Sequence, residues 1–307
     1  MTAPTYFSKA LVRALYSLLL FVLLSCSAAA QSDDDVITVD SATVLLNATV
    51  LDGDGRAASG LRREQFSVFE NGVKQELSYF SAAETPFAAV ILIDTSGSME
   101  SRMSMARSAA INFLDGLREH DNAAIYRFAS KVDLIQEFSG SRDINEGVFE
   151  MKADGMTALN DSIYKAAVEL NRRPEKRRAI IVLSDGADNF SDRSSDKVLK
   201  AALDADATIY TIDMSSMETN GRERAQNQGI LRNFAEKSGG KFVATPGGAA
   251  LRQAFKGIVD ELGTQYTLGY EPSNAKKDGK WRAIEIRVGR PNLTIRTRKG
   301  YTAPKGK

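Results

Sequence analysis

The sequence predicts an α/β fold: a doubly wound, mostly parallel sheet, with an accessory β-sandwich formed by the N- and C-terminal segments. Three observations lead there. From residue 87 to 262, short apolar runs alternate with stretches of helical periodicity, the rhythm of a sheet covered by helices on both faces. Two of those runs, 87–93 (FAAVILI) and 179–183 (AIIVL), are apolar at every position, as strands buried on both sides require. Before and after this region, β-branched runs are separated by turn residues and no helical period is visible.

The elements follow in order. Residues 43–50 (TVLLNATV) read as a strand and Asp52-Gly53-Asp54-Gly55 as a turn. Residues 66–69 and 73–80 flank Asn71-Gly72, a pair that supplies the positive φ angles of a tight hairpin turn. After strand 87–93, Met105, Ala109, Phe113, Leu114 and Leu117 recur at helical spacing. Residues 123–128 and 132–138 are strands, 158–170 a helix, 179–183 a strand and 194–203 a helix. A strand follows at 208–212, then a helix at 230–237 closed by Gly239-Gly240, a short strand at 242–243 and a helix at 251–262. Strands return at 265–270, 281–288 and 293–297. Because a lone hairpin is marginal in water, the β-rich segments 36–83 and 264–303 are expected to pack together beside an α/β domain at 86–262.

Of 307 residues, 43% are hydrophobic and 26% charged, enough to bury a core without disulfides or a structural metal. Forty basic residues face 39 acidic ones, a balance that does not point to nucleic acid or to an anionic membrane surface. Residues 1–30 read as a signal peptide: Lys9 and Arg13 lead an apolar run at 14–25, and Ala28-Ala29-Ala30 precedes Gln31. That run is too short for the roughly 20 residues of a membrane span. Cys26, the only cysteine, ends Leu23-Leu24-Ser25-Cys26, which resembles a bacterial lipobox and makes Cys26 a lipidation candidate. A cut after Ala30 would instead leave no thiol. Either route implies export to the periplasm or beyond, with or without a lipid anchor.

The candidate chemistry sits where strands end. Asp94-Thr95-Ser96-Gly97-Ser98 follows strand 87–93, and Ser184-Asp185-Gly186 follows strand 179–183. Ligands of open α/β sheets bind outside the carboxyl ends of the strands. Gly155-Met156-Thr157 lies between these two segments, before a helix. Closely spaced carboxylates and hydroxyls are hard ligands suited to Mg²⁺, Mn²⁺ or Ca²⁺. Any one of these residues could equally cap a helix or form a turn.

D-x-S-x-S, a later G-x-T and a strand ending in S-D-G together resemble the metal-ion-dependent adhesion site of von Willebrand factor A domains, whose sheet is Rossmann-like. All five positions match: Asp94, Ser96, Ser98, Thr157 and Asp185. The resemblance implies that these residues bind one divalent cation, with Mg²⁺ fitting best. Asp94 and Asp185 would act partly or wholly through water. The cation would then grip a carboxylate of a partner, a protein or another envelope ligand. The resemblance implies an adhesion or binding module that is not an enzyme. The alternatives are a metal-dependent hydrolase and a structural envelope protein. His120 is the only histidine, and neither a G-x-S-x-G elbow nor a phosphate loop is present. Asp188 and Asp192 are expected in a solvated loop, Asp52 and Asp54 in a turn, and the basic run 172–178 in an exposed connection.

Overall fold

The computed structural model describes residues 43–82, 85–216, 218–244 and 248–306. The expected leader 1–30 and Cys26 lie outside the described residues. Among those residues no helix is long and apolar enough to cross a membrane.

The apolar run at 87–93 becomes β5 (Phe87–Asp94), buried along its whole length. It lies inside a six-stranded sheet, flanked in parallel by β6 (Asn122–Phe128) and β8 (Arg177–Ser184). β9 (Ala207–Asp213) and the short β10 (Phe242–Val243) extend one side, and β7 (Val132–Ser139) closes the other as an antiparallel edge. The strand order is thus β10-β9-β8-β5-β6-β7. Side chains alternate between the faces. Phe87, Ala89, Ile91 and Ile93 pack under α1 (Met103–Asp115) and α6 (Gly248–Thr264) through Phe113, Phe255 and Leu262. Ala88, Val90 and Leu92 face α3 (Leu159–Asn171), α4 (Ser195–Asp204) and α5 (Gly221–Ser238). A four-residue helix, α2 (Gly147–Glu150), follows β7. This is the doubly wound, mostly parallel sheet read from the sequence.

The ends of the chain build two further four-stranded sheets. One has the order β13-β1-β11-β4, with β13 (Thr294–Arg296), β1 (Val44–Leu51), β11 (Tyr266–Tyr270) and β4 (Leu77–Ser81). The other has the order β14-β12-β2-β3, with β14 (Gly300–Thr302), β12 (Trp281–Val288), β2 (Phe66–Glu70) and β3 (Val73–Gln75). N-terminal and C-terminal strands alternate in the first sheet and meet at the β12–β2 pair in the second, and Leu46, Phe66, Val68, Leu268, Tyr270 and Ile286 share one core between the sheets. Asn71 (φ 47°) and Gly72 (φ 80°) make the β2–β3 turn in the left-handed conformations expected of Asn-Gly.

Several local expectations change. The single strand read at 73–80 breaks at Glu76 into β3 and β4, which belong to different sheets. Helix α5 starts at Gly221, well before residue 230, because its first turns are polar and carry no apolar stripe; Asn220 caps it by accepting from Arg222 N at 2.9 Å. In β12 the inward position at the start goes to Arg282, while Trp281 faces out. Arg282 lies beside buried Glu70, whose Oε2 accepts from the hydroxyls of Tyr270 and Tyr301, each at 2.8 Å.

The basic run 172–178 is not wholly an exposed connection. Arg177 has zero exposure. Its guanidinium donates to the carbonyls of Leu262 (3.2 Å), Gly263 (2.9 Å) and Gln265, joining the end of α6 and the start of β11 to β8. The carbonyls of Leu262 and Gly263 lie in the last turn of a helix and lack intrahelical donors, so an arginine fork satisfies both along with Gln265 just beyond it.

Candidate metal centre

β5, β8 and β9 each end at the carboxyl edge of the main sheet in a polar residue. β5 delivers Asp94, which has zero exposure. Its Oδ1 accepts from Ser96 N at 2.9 Å, which turns the chain sharply out of the strand. Its Oδ2 accepts from Ser184 Oγ, the last residue of β8, at 2.6 Å. Burial pushes the Asp94 carboxyl up to about 7; the hydrogen bonds from Ser184 and Ser96 act in the opposite sense, and the Asp185 charge adds a smaller upward push.

Ser96 occupies the N-cap position of the 3-10 helix Gly97–Arg102, yet its side chain accepts no capping bond. Its Oγ lies 3.2 Å from Ser98 Oγ. The helix-cap explanation for these hydroxyls therefore does not apply. The same holds at the second loop. Ala158, not Thr157, is the N-cap of α3, and the first-turn amides of Asn160 and Asp161 are met instead by Asp188 Oδ2 (3.4 Å) and Ser191 Oγ (3.1 Å).

Hydrogen bonds stitch the three loops together. Gly97 N donates to Gly155 O at 3.1 Å and Asp154 N to Thr95 O at 2.8 Å, joining the D-x-S-x-S loop to the G-x-T loop. Gly155 holds φ 80°, so its carbonyl can turn back toward Gly97 without strain. Asn189 Oδ1 accepts from Thr157 N at 2.8 Å, and Thr157 O accepts from the amides of Asn189 and Phe190, both at 3.0 Å. This ties the G-x-T loop to the one that follows β8. Asp185 stands between Ser184 and Gly186, with Oδ1 accepting from Ala187 N at 3.1 Å. Gly186 has φ 82°, and a Cβ there would stand 2.7 Å from Asn227 O, so only glycine fits.

Asp94, Ser96 and Ser98 thus meet through their own atoms or turn backbone. Thr157 and Asp185 reach the same edge through loop-to-loop bonds. Thr157 and Asp185 are buried and Ser98 is exposed at the mouth.

Ser184 was read from sequence only as part of Ser184-Asp185-Gly186, and Asn189 and Asp213 were not singled out. Ser184 orients the Asp94 carboxylate. Asn189 latches two loops, and nothing distinguishes it from an ordinary turn asparagine. Asp213, fully buried at the end of β9 beside Ser184, accepts from Ser215 N (2.9 Å) and Gln228 Nε2 (2.7 Å). An apolar strand ending in Asp was its legible signal, shared with Asp94.

The donor chemistry fits a hard divalent cation. Two carboxylates and three hydroxyls offer oxygen only, and among the described residues there is no cluster of three or more His, Cys, Asp or Glu suited to a metal. Asp94 hydrogen-bonds to Ser96 and Ser184 and forms no ion pair with Lys or Arg among the described residues. A buried carboxylate left so is costly unless a cation or a proton joins it.

The acids set aside earlier behave as turns. Asp52 Oδ1 accepts from Asp54 N and Arg56 N, and Asp188 accepts from Ser191 N.

Residues 89–187 match the von Willebrand factor type A domain family. The chain is similar to an uncharacterised protein of Synechocystis sp., 25% identical over 183 residues that make up 56% of this chain and 41% of that one. It is also similar to an uncharacterised protein of Borreliella burgdorferi, 26% identical over 229 residues, 66% of this chain and 62% of that one. It therefore spans less than two thirds of these relatives' length. Among solved structures, a von Willebrand factor type A protein from Catenulispora acidiphila is similar at 14% identity with a TM-score of 0.49, over 85% of this chain and 73% of that one. The matched family segment begins inside β5 and ends just past Asp185, so it holds both strands that deliver the site; the chain carries a von Willebrand factor type A domain.

Proposed function

We propose that the chain is a metal-dependent binding module, in which Asp94, Ser96, Ser98, Thr157 and Asp185 hold one divalent cation at the carboxyl edge of the sheet. Mg²⁺ suits the oxygen set best, with Mn²⁺ or Ca²⁺ as alternatives. When bound, the cation offers an open coordination position to an acidic group of a partner. The chain's own residues prepare that position. Ser184 and the Ser96 amide fix the Asp94 carboxylate, the Gly155 turn sets the Thr157 loop, and Ser98 stands at the solvent side. The observation that carries the reading is a fully buried carboxylate with no basic partner among the described residues, next to serine hydroxyls that make no capping bond to the helix that follows.

The partner is a protein or other ligand that presents a carboxylate. With the expected leader at 1–30, the setting is the cell envelope or the space outside it, either free or anchored through Cys26. Binding rather than hydrolysis is favoured by the position of His120. It precedes Asp121, whose carboxylate accepts from Phe87 N at 3.2 Å, at the amino end of β5. Seven residue steps of strand, about 23 Å at roughly 3.3 Å each, separate that end from Asp94, too far for a Ser-His-Asp relay.

The test is a Mn²⁺ titration followed by electron paramagnetic resonance, with acetate as the carboxylate probe. Wild type should take up one Mn²⁺ per chain and acetate should perturb its spectrum; Asp185→Ala should take up none. Esterase or phosphatase turnover that disappears in Ser96→Ala would replace this reading with an enzymatic one.

A further inference from the structure

A second surface, at the other edge of the sheet, is built from residues the metal site does not use. Helix α4 closes at Asp204 before β9 begins, and α5 closes at Ser238 before β10 begins. These helix ends lie at the amino edge, opposite Asp94. There β12 and β14 meet α4 and α5 around a groove of about 550 Å³. That volume falls within the roughly 300–1,000 Å³ of small-ligand sites.

One wall is Trp281, 47% exposed. A Cβ on Gly300 would stand 2.5 Å from the indole Cζ2, so the ring occupies the space a side chain at Gly300 would fill. The indole is held against backbone on one side and open to solvent on the other. Lys237 and Lys299 line the groove, both exposed, and Lys299 N donates to Lys237 O at 3.1 Å. Neither lysine has an ion-pair partner among the described residues. Lys200, by contrast, is engaged by Asp204. Asp196 and Thr302 add a carboxylate acceptor and a hydroxyl.

We propose that this groove binds an acidic oligosaccharide. An exposed, immobilised indole suits the C–H face of a pyranose ring, and Asp196 and Thr302 suit its hydroxyls. The two free ammonium groups suit a ring carboxylate. A nucleic acid is disfavoured by a chain with nearly balanced charge. A lone aromatic also falls short of the successive stacking platforms of single-strand binders.

Trp281 is the only tryptophan in the chain, so its fluorescence reports on this groove alone. The full chain, kept in EDTA so that the metal site is silent, is titrated with a hyaluronan hexasaccharide, with chitohexaose as the neutral counterpart and a single-stranded oligonucleotide as the other polyanion. The expected result is a saturable change with hyaluronan, binding at least about tenfold weaker with chitohexaose, and none with the oligonucleotide. Lys237→Gln with Lys299→Gln, which keeps the fluorophore, should weaken hyaluronan by about tenfold or more. Trp281→Ala should abolish the calorimetric heat. The proposal is overturned by no saturable change up to millimolar hyaluronan, by equal affinity for the neutral sugar, or by preferential binding of the oligonucleotide. Because EDTA is present throughout, failure here leaves the metal reading untouched.

Discussion

Asp94→Asn, studied in EDTA, isolates the charge that the metal site must tolerate when no cation is bound. Asparagine keeps the shape: its Oδ1 can accept from Ser96 N and its Nδ2 can donate to Ser184 Oγ. What changes is the ionisation. Burial raises the Asp94 carboxyl from 3.8 to about 7, so the folded state holds this proton more tightly than the unfolded chain does. The stability that the protonated form contributes is present in full below the unfolded value and is lost as pH rises through about 7. At pH 8 the lost stability amounts to about 4 kcal/mol, and at pH 5 about 2 kcal/mol of it remains lost. Urea unfolding of both proteins between pH 5 and pH 8 measures it. Asp94→Asn should be the more stable protein at pH 8, and its advantage should shrink by about 2–3 kcal/mol on going to pH 5. Comparing the two proteins cancels the other carboxylates. An advantage that stays constant with pH, or an asparagine variant less stable at pH 8, would refute the buried, unpaired carboxylate.

Other outcomes follow from the same geometry. Because the cation and the proton compete for Asp94, Mn²⁺ affinity should fall as pH drops below about 7, approaching about tenfold per pH unit; electron paramagnetic resonance at pH 6 and pH 8 checks this. Gly186→Ala forces a Cβ against Asn227 O at φ 82° and should cost about 1–3 kcal/mol in urea unfolding. Gly72→Ala, also at positive φ but with open space around it, should cost only about 1 kcal/mol. Arg177→Met strips the donors from the carbonyls of Leu262, Gly263 and Gln265 and should cost about 3 kcal/mol or more, with Arg177→Lys failing to restore it because one ammonium cannot span all three.

The main sheet was legible because burial on both faces writes itself into composition: FAAVILI and AIIVL have no polar position to betray a solvent side. The site was legible because oxygen-bearing residues follow those same strands. Less was visible where long-range contact decides. Arg177 looked like part of a solvated run, since nothing local marks the carbonyls of Leu262 and Gly263 that it meets across the fold. Arg282 broke the alternation of β12 because its partner, Glu70, lies in a strand more than 200 positions earlier. The corner at Glu76 follows from two sheets competing for one run of residues, which strand propensity alone does not record. Helix α5 began early because caps and packing, not an apolar stripe, support its first turns.

The account turns on whether three loops joined by hydrogen bonds share one cation, and calorimetric titration of Mg²⁺ into wild type and Thr157→Ala measures that most directly. Thr157 lies on the loop tied to Thr95 and Gly97 by backbone bonds that the substitution leaves intact. One-to-one Mg²⁺ uptake by wild type, weakened about tenfold or more in Thr157→Ala, is the predicted result. No heat of binding in either protein at millimolar Mg²⁺, or equal affinity in both, would contradict it.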